Sequence, residues 1–80
     1  DDQLTEFRLW PNPATDAIRI ETGGIAGPFT LAVRDAMGRA VMLLQVRSGD
    51  RVGLDGLPGG FYLVQLHSEA VNRSQCLVIQ

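Results

Sequence analysis

Tyr62, Val64 and Leu66 alternate with Leu63, Gln65 and His67. That two-residue period marks a strand with one face in a core, and the polar members of the second set assign the core to the first. Gly, Pro and Asp clusters recur at short intervals along the chain, with β-branched and aliphatic runs between them. No window of helical length keeps a 3.6-residue apolar period without a glycine or proline breaking it. Strands are predicted near Glu6–Trp10, Ala17–Glu21, Phe29–Asp35, Arg39–Val46, Arg51–Leu54, Gly60–Ser68 and Arg73–Gln80. Short strands at this spacing point to an all-β, immunoglobulin-like antiparallel β-sandwich of about seven strands.

The turns between them carry readable chemistry. Asp35-Ala36-Met37-Gly38 suits a type I turn with Gly38 in the left-handed region forming a bulge. In that register Arg39 lies opposite Asp35, Val41 opposite Val33 and Leu43 opposite Leu31. Those valines and leucines are expected to face the core, which turns Met42 and Leu44 outward as a possible contact surface. Leu57-Pro58-Gly59-Gly60 suits a type II turn, with proline second and glycine third. Gly23 to Pro28 reads as a flexible loop. Near the N-terminus, Pro11 and Pro13 bracket Asn12. The prolines donate no hydrogen bond, and the residues before them are biased to extended geometry, so pairing must stop there and restart at Ala17.

The 80 residues make one small domain, which buries only about 60% of its unfolded surface. Residues 1–7 read as a linker from an upstream cargo, and residues 8–80 as the domain. A net charge of −2 provides no electrostatic footprint for nucleic acid. One cysteine, Cys76, excludes an internal disulfide. No signal-peptide pattern or membrane-spanning run is legible; in an exported precursor the signal peptide is expected upstream.

Enzymatic readings fare badly. His67 and Cys76 are the only histidine and cysteine, and adjacent final strands could bring them together as a reactive pair. An exposed strand histidine and a small, apolar-like cysteine is the plainer account. No zinc site is plausible with one of each. Asp35, Asp50 and Asp55 near loops invite a calcium reading, but their spacing is that of turn-forming aspartates. No metal, cofactor or catalytic residue is therefore expected. Trp10 and Phe61 could serve a sugar-binding platform, with Phe29 and Tyr62 assigned to the core.

Three motifs follow one another over most of the chain. They are Pro11-Asn12-Pro13-Ala14-Thr15-Asp16, then Asp35-Ala36-Met37-Gly38-Arg39-Ala40-Val41, then Leu57-Pro58-Gly59-Gly60-Phe61-Tyr62-Leu63-Val64. Together, over roughly residues 8 to 80, they resemble the C-terminal sorting domain of type IX secretion system cargo, type A class. That family starts with Pro-Asn-Pro and an aliphatic strand. A Gly-Arg hairpin, a Leu-Pro-x-Gly-x-Tyr turn and an apolar final strand follow. The resemblance singles out Pro11, Asn12, Pro13, Asp16, Asp35, Gly38, Arg39, Leu57, Pro58, Gly60 and Tyr62 as recognition or scaffold residues. Leu77, Val78, Ile79 and Gln80 become a handle for the translocon, able to pair by strand addition through an open edge. The family usually has a lysine before its last aliphatic run and often a basic final residue. Cys76 and Gln80 stand here instead.

The resemblance implies a non-catalytic secretion signal in a Gram-negative cell. The cargo would pass through the periplasm, be recognised by the outer-membrane translocon and its shuttle protein, and reach the cell surface or the extracellular space. A surface sortase, a cysteine peptidase, would cut near the N-terminal linker, leaving the cargo released or anchored. The alternative from the residues alone is an accessory immunoglobulin-like module binding carbohydrate or protein. A structural spacer is a third reading, which would expect more chain after Gln80.

Overall fold

The computed structural model describes residues 7–23, 27–69 and 72–80. The expectations for Asp1 to Glu6 and for Gly24 to Ala26 lie outside the described residues. Among the described residues seven strands run β1 (Phe7–Trp10), β2 (Ala17–Thr22), β3 (Phe29–Arg34), β4 (Ala40–Val46), β5 (Arg51–Gly53), β6 (Gly60–His67) and β7 (Asn72–Ile79). Each begins and ends within one or two residues of its predicted bounds, because turn residues punctuate the chain at almost every boundary.

Two antiparallel sheets form a small β-sandwich. One has the order β1-β2-β5, the other β4-β3-β6-β7. Inward residues alternate along each strand: Ile18 and Ile20 from the first sheet meet Leu31, Val33, Val64, Leu66 and Leu77 from the second, all fully buried. Each such side chain contributes about 1.5–3 kcal/mol through burial. Tyr62 and Phe29 join this core, as their alternation requires.

The β3–β4 register departs from expectation. Asp35 and Arg39 do face each other, with the Asp35 N–H donating to the Arg39 carbonyl at 2.9 Å, and Gly38 is left-handed at φ +88°. Next, however, Arg34 pairs with Ala40 and Val33 with Met42, so Val41 is an extra residue, a β-bulge. One inserted residue exchanges the faces of everything beyond it. Met42 and Leu44 therefore pack against the core, while Val41 and Leu43 point outward, Leu43 with 69% exposure.

The turn before β6 is also displaced. The left-handed glycine is Gly56, at φ +86°, rather than Gly59. Leu57 N–H bonds to the Leu54 carbonyl at 3.1 Å, so the tight turn spans Leu54 to Leu57. Gly59 answers a different need: a β-carbon there would stand 3.2 Å from the Ile79 carbonyl oxygen.

Candidate recognition site

The Pro-Asn-Pro segment leaves the first sheet and lies along the outer edge of β7 in the second. Both X-Pro bonds, Trp10–Pro11 and Asn12–Pro13, are cis. Ala14 forms a parallel bridge with Ile79. Its N–H donates to the Val78 carbonyl at 2.7 Å, and its carbonyl accepts the Gln80 N–H at 2.8 Å. Asn12, flanked by residues without N–H groups, continues this pairing with its side chain. Its Nδ2 donates to the Cys76 carbonyl at 3.0 Å, and its Oδ1 accepts the Val78 N–H at 3.1 Å. A carboxamide has the same donor and acceptor geometry as a peptide unit, so Asn12 stands in for a strand residue. The edge expected to be open from Leu77 to Gln80 is thus occupied. Leu77 and Ile79 are buried in the core, while Gln80 is exposed.

The Leu57 to Tyr62 motif abuts the same end. Gly60 pairs with Ile79 and Phe61 with Val78. The buried Tyr62 donates its hydroxyl to the Pro58 carbonyl, the backward bond of the tyrosine corner found in immunoglobulin-like sandwiches. Leu57 packs partly buried against the core. Asp16, at the other sequence end of the motif set, accepts the Leu54 N–H at 2.8 Å through its carbonyl.

The Asp35 hairpin completes the arrangement. Oδ1 of Asp35 accepts the N–H groups of Met37 at 2.9 Å and Arg39 at 3.0 Å. Its Oδ2 takes the Arg39 guanidinium in a two-pronged contact, Nε at 3.0 Å and Nη2 at 2.9 Å. Partial desolvation raises the Asp35 pKa, but the Arg39 and Met37 donors and the Arg39 charge outweigh it and hold the carboxyl below its ordinary value. Arg34 ties this hairpin to β6, donating to Gln65 Oε1 at 2.8 Å and to the Gly38 carbonyl at 3.1 Å. Sequence reasoning missed Arg34, because nothing local marks a strand arginine that braces two elements.

Between the hairpin and β6 lies a groove of about 320 Å³, bordered by Ala36, Phe61, Leu63 and Cys76. Phe61 stands over it with 72% exposure. Cross-strand pairing sets Leu63 beside Cys76 and Phe61 beside Val78, giving an apolar stripe on the outer face. A larger groove, about 530 Å³, lies at the opposite end between Pro28 and Ser68, and none of the three motifs reaches it.

Several other expectations meet the geometry directly. His67 pairs with Asn72, and Cys76 with Leu63, four ladder positions away. At ~3.3 Å per residue that separation precludes a thiol–imidazole pair. Cys76 is exposed rather than buried. Asp50, like Asp35, serves a turn, accepting the Arg47 N–H at 2.8 Å. Among the described residues no cluster of acidic, histidine or cysteine side chains could hold a metal. Trp10 sits on the outer face of the first sheet beneath the Arg8 guanidinium, 5.7 Å from the ring centre. Phe61 is on the outer face of the second sheet, so the two aromatics cannot form one sugar platform.

The sequence model of a protein family described as "Secretion system C-terminal sorting domain" matches residues 8–80. The chain belongs to that family. Membership makes it the type IX sorting signal that the three motifs resemble, attached to an upstream cargo and acting with the secretion machinery to reach the cell surface or the extracellular space. No curated protein matches the chain. In this sorting domain the match takes in all three motifs and the whole of β7. What separates them in sequence is joined in the fold: Asn12 and Ala14 reach β7, β7 pairs with β6, and Arg34 binds β6 to the Asp35 hairpin.

Proposed function

We propose that this sorting domain is read by the type IX outer-membrane translocon and its shuttle protein as a folded surface. The surface is the end of the second sheet where the three motifs meet. The observation that carries this reading is their convergence. Three stretches spread over more than fifty residues assemble beside one apolar stripe of Phe61, Leu63, Cys76 and Val78.

In this reading Pro11, Asn12, Pro13, Asp16, Asp35, Gly38, Arg39, Leu57, Pro58, Gly60 and Tyr62 build the surface. Val78 and Gln80 present the end of β7 on it, with Leu77 and Ile79 beneath as its anchors. The domain has no catalytic part of its own. A surface sortase removes it at the N-terminal linker, and the cargo is then anchored or released.

The test is a periplasm-directed reporter fused to residues 1–80 in a host with this secretion system. Export with the domain, and retention without it, is the expected result. Retention of both forms overturns the reading. Deleting Leu77 to Gln80 is a poor substitute, because it removes two core residues along with the presented end.

A further inference from the structure

The β7 edge between Cys76 and Gln80 is filled, but by an unusual occupant. A full partner strand would supply main-chain groups throughout. Here Ala14 supplies one N–H and one carbonyl, and the rest comes from the Asn12 side chain. Pro11 and Pro13 contribute no donors. Asn12, Pro11 and Pro13 are exposed, and only the small Ala14 reaches the core. Lifting this strap therefore uncovers little apolar surface. Neighbouring elements need not move: β1 stays paired to β2 through Leu9 and Ile20, and β7 stays paired to β6 along its other edge.

We propose that the Cys76–Gln80 edge is a docking site for an extended strand of the secretion machinery, held shut in the free domain by Asn12 and Ala14. The present occupant shows what the edge accepts. It takes extended backbone running parallel to β7, with a donor for the Cys76 and Val78 carbonyls and an acceptor for the Val78 and Gln80 N–H groups. A partner strand meets the same groups by strand addition. Asn12 is then a positioning residue that sets how readily the edge opens. The apparent affinity of the edge for a strand scales with the open fraction. Naming the machinery as the source of that strand rests on the sorting reading; the strand-accepting edge does not.

The probe is a synthetic peptide of residues 9–16, titrated into the isotope-labelled 80-residue chain while the Val78 and Gln80 amides are followed by NMR. Removing both carboxamide bonds with Asn12→Ala should make the peptide bind about tenfold tighter than it binds the unaltered chain. A peptide that itself carries Asn12→Ala should bind more weakly. No binding to either chain, or equal binding to both, overturns the proposal. Should Asn12→Ala not fold, hydrogen exchange in the unaltered chain decides. Val78 and Gln80 exchanging through a smaller opening than the β3–β6 ladder amides supports the strap; exchange only on global unfolding overturns it. These readouts involve no export, so a reporter that fails to reach the surface would count against the sorting reading and leave the docking edge standing.

Discussion

Asn12 and Val78 lie 66 residues apart in the chain, yet the carboxamide oxygen of one accepts the backbone N–H of the other at 3.1 Å. This contact gives the Pro-Asn-Pro motif a physical purpose. The prolines silence the main chain, and the asparagine side chain does the pairing instead. Asn12→Asp keeps the acceptor for Val78 but cannot donate to the Cys76 carbonyl, and it sets a negative charge against that oxygen. Asn12→Asp is expected to lower unfolding stability by about 1 kcal/mol and Asn12→Ala, which removes both bonds, by about 1–2 kcal/mol, since a single hydrogen bond contributes on the order of 1 kcal/mol net. Urea denaturation with an unchanged m-value checks this. Indistinguishable midpoints for all three chains would show that the contact contributes nothing.

Tyr62→Phe removes one hydroxyl from a buried site and leaves the Pro58 carbonyl without its partner. A loss of about 1–2 kcal/mol is expected, with the sandwich retained. Thermal unfolding followed by circular dichroism measures it. In the reading developed above, this variant still exports once folded, because Tyr62 supports the surface from beneath.

The β-bulge at Val41 makes an uneven prediction for two neighbouring leucines. Leu43 points to solvent, so Leu43→Ser should change stability by no more than about 0.5 kcal/mol. Leu44 packs against the core, so Leu44→Ala should cost about 2 kcal/mol. The opposite ranking would restore the register that turn spacing alone suggests.

That register also marks where sequence stops being informative. Strand bounds were legible because Gly, Pro and Asp stand between nearly every pair of strands. The bulge was not, because Ala40 and Val41 are ordinary strand residues that give no local sign of one being left unpaired. The turn at Gly56 was hidden by the stronger signal of Pro58-Gly59 just after it. The strap was half legible. The prolines announced that main-chain pairing stops, but the partner of Asn12, the Cys76 carbonyl, lies 64 residues away. Non-local contacts of this kind leave no periodicity to read. Phe61 was set outside the core with Trp10, but its place beside Cys76 and the Asp35 hairpin needed the ladder register.

Asp35 makes the acid side of the stability curve testable. Its carboxyl lies below the ordinary value of 3.8, so the unfolded chain binds a proton more readily than the folded one. The resulting stabilisation is fully present above that ordinary value and is lost as pH falls through the lower, folded value. Asp35→Asn retains an oxygen for the Met37 and Arg39 N–H groups but loses the charge that holds the Arg39 guanidinium. The variant should be less stable than the unaltered chain near neutral pH, with the gap narrowing in acid. Parallel curves over the whole acid range would rule out a contribution from this carboxylate.

If this sandwich directs a cargo through the type IX machinery, the cargo's location must depend on the outer-membrane translocon. A folded reporter fused to residues 1–80 is followed in two strains, one with an intact outer-membrane translocon and one lacking it. Reporter is expected at the surface or in the medium of the first strain and in the periplasm of the second. The same location in both strains would contradict it.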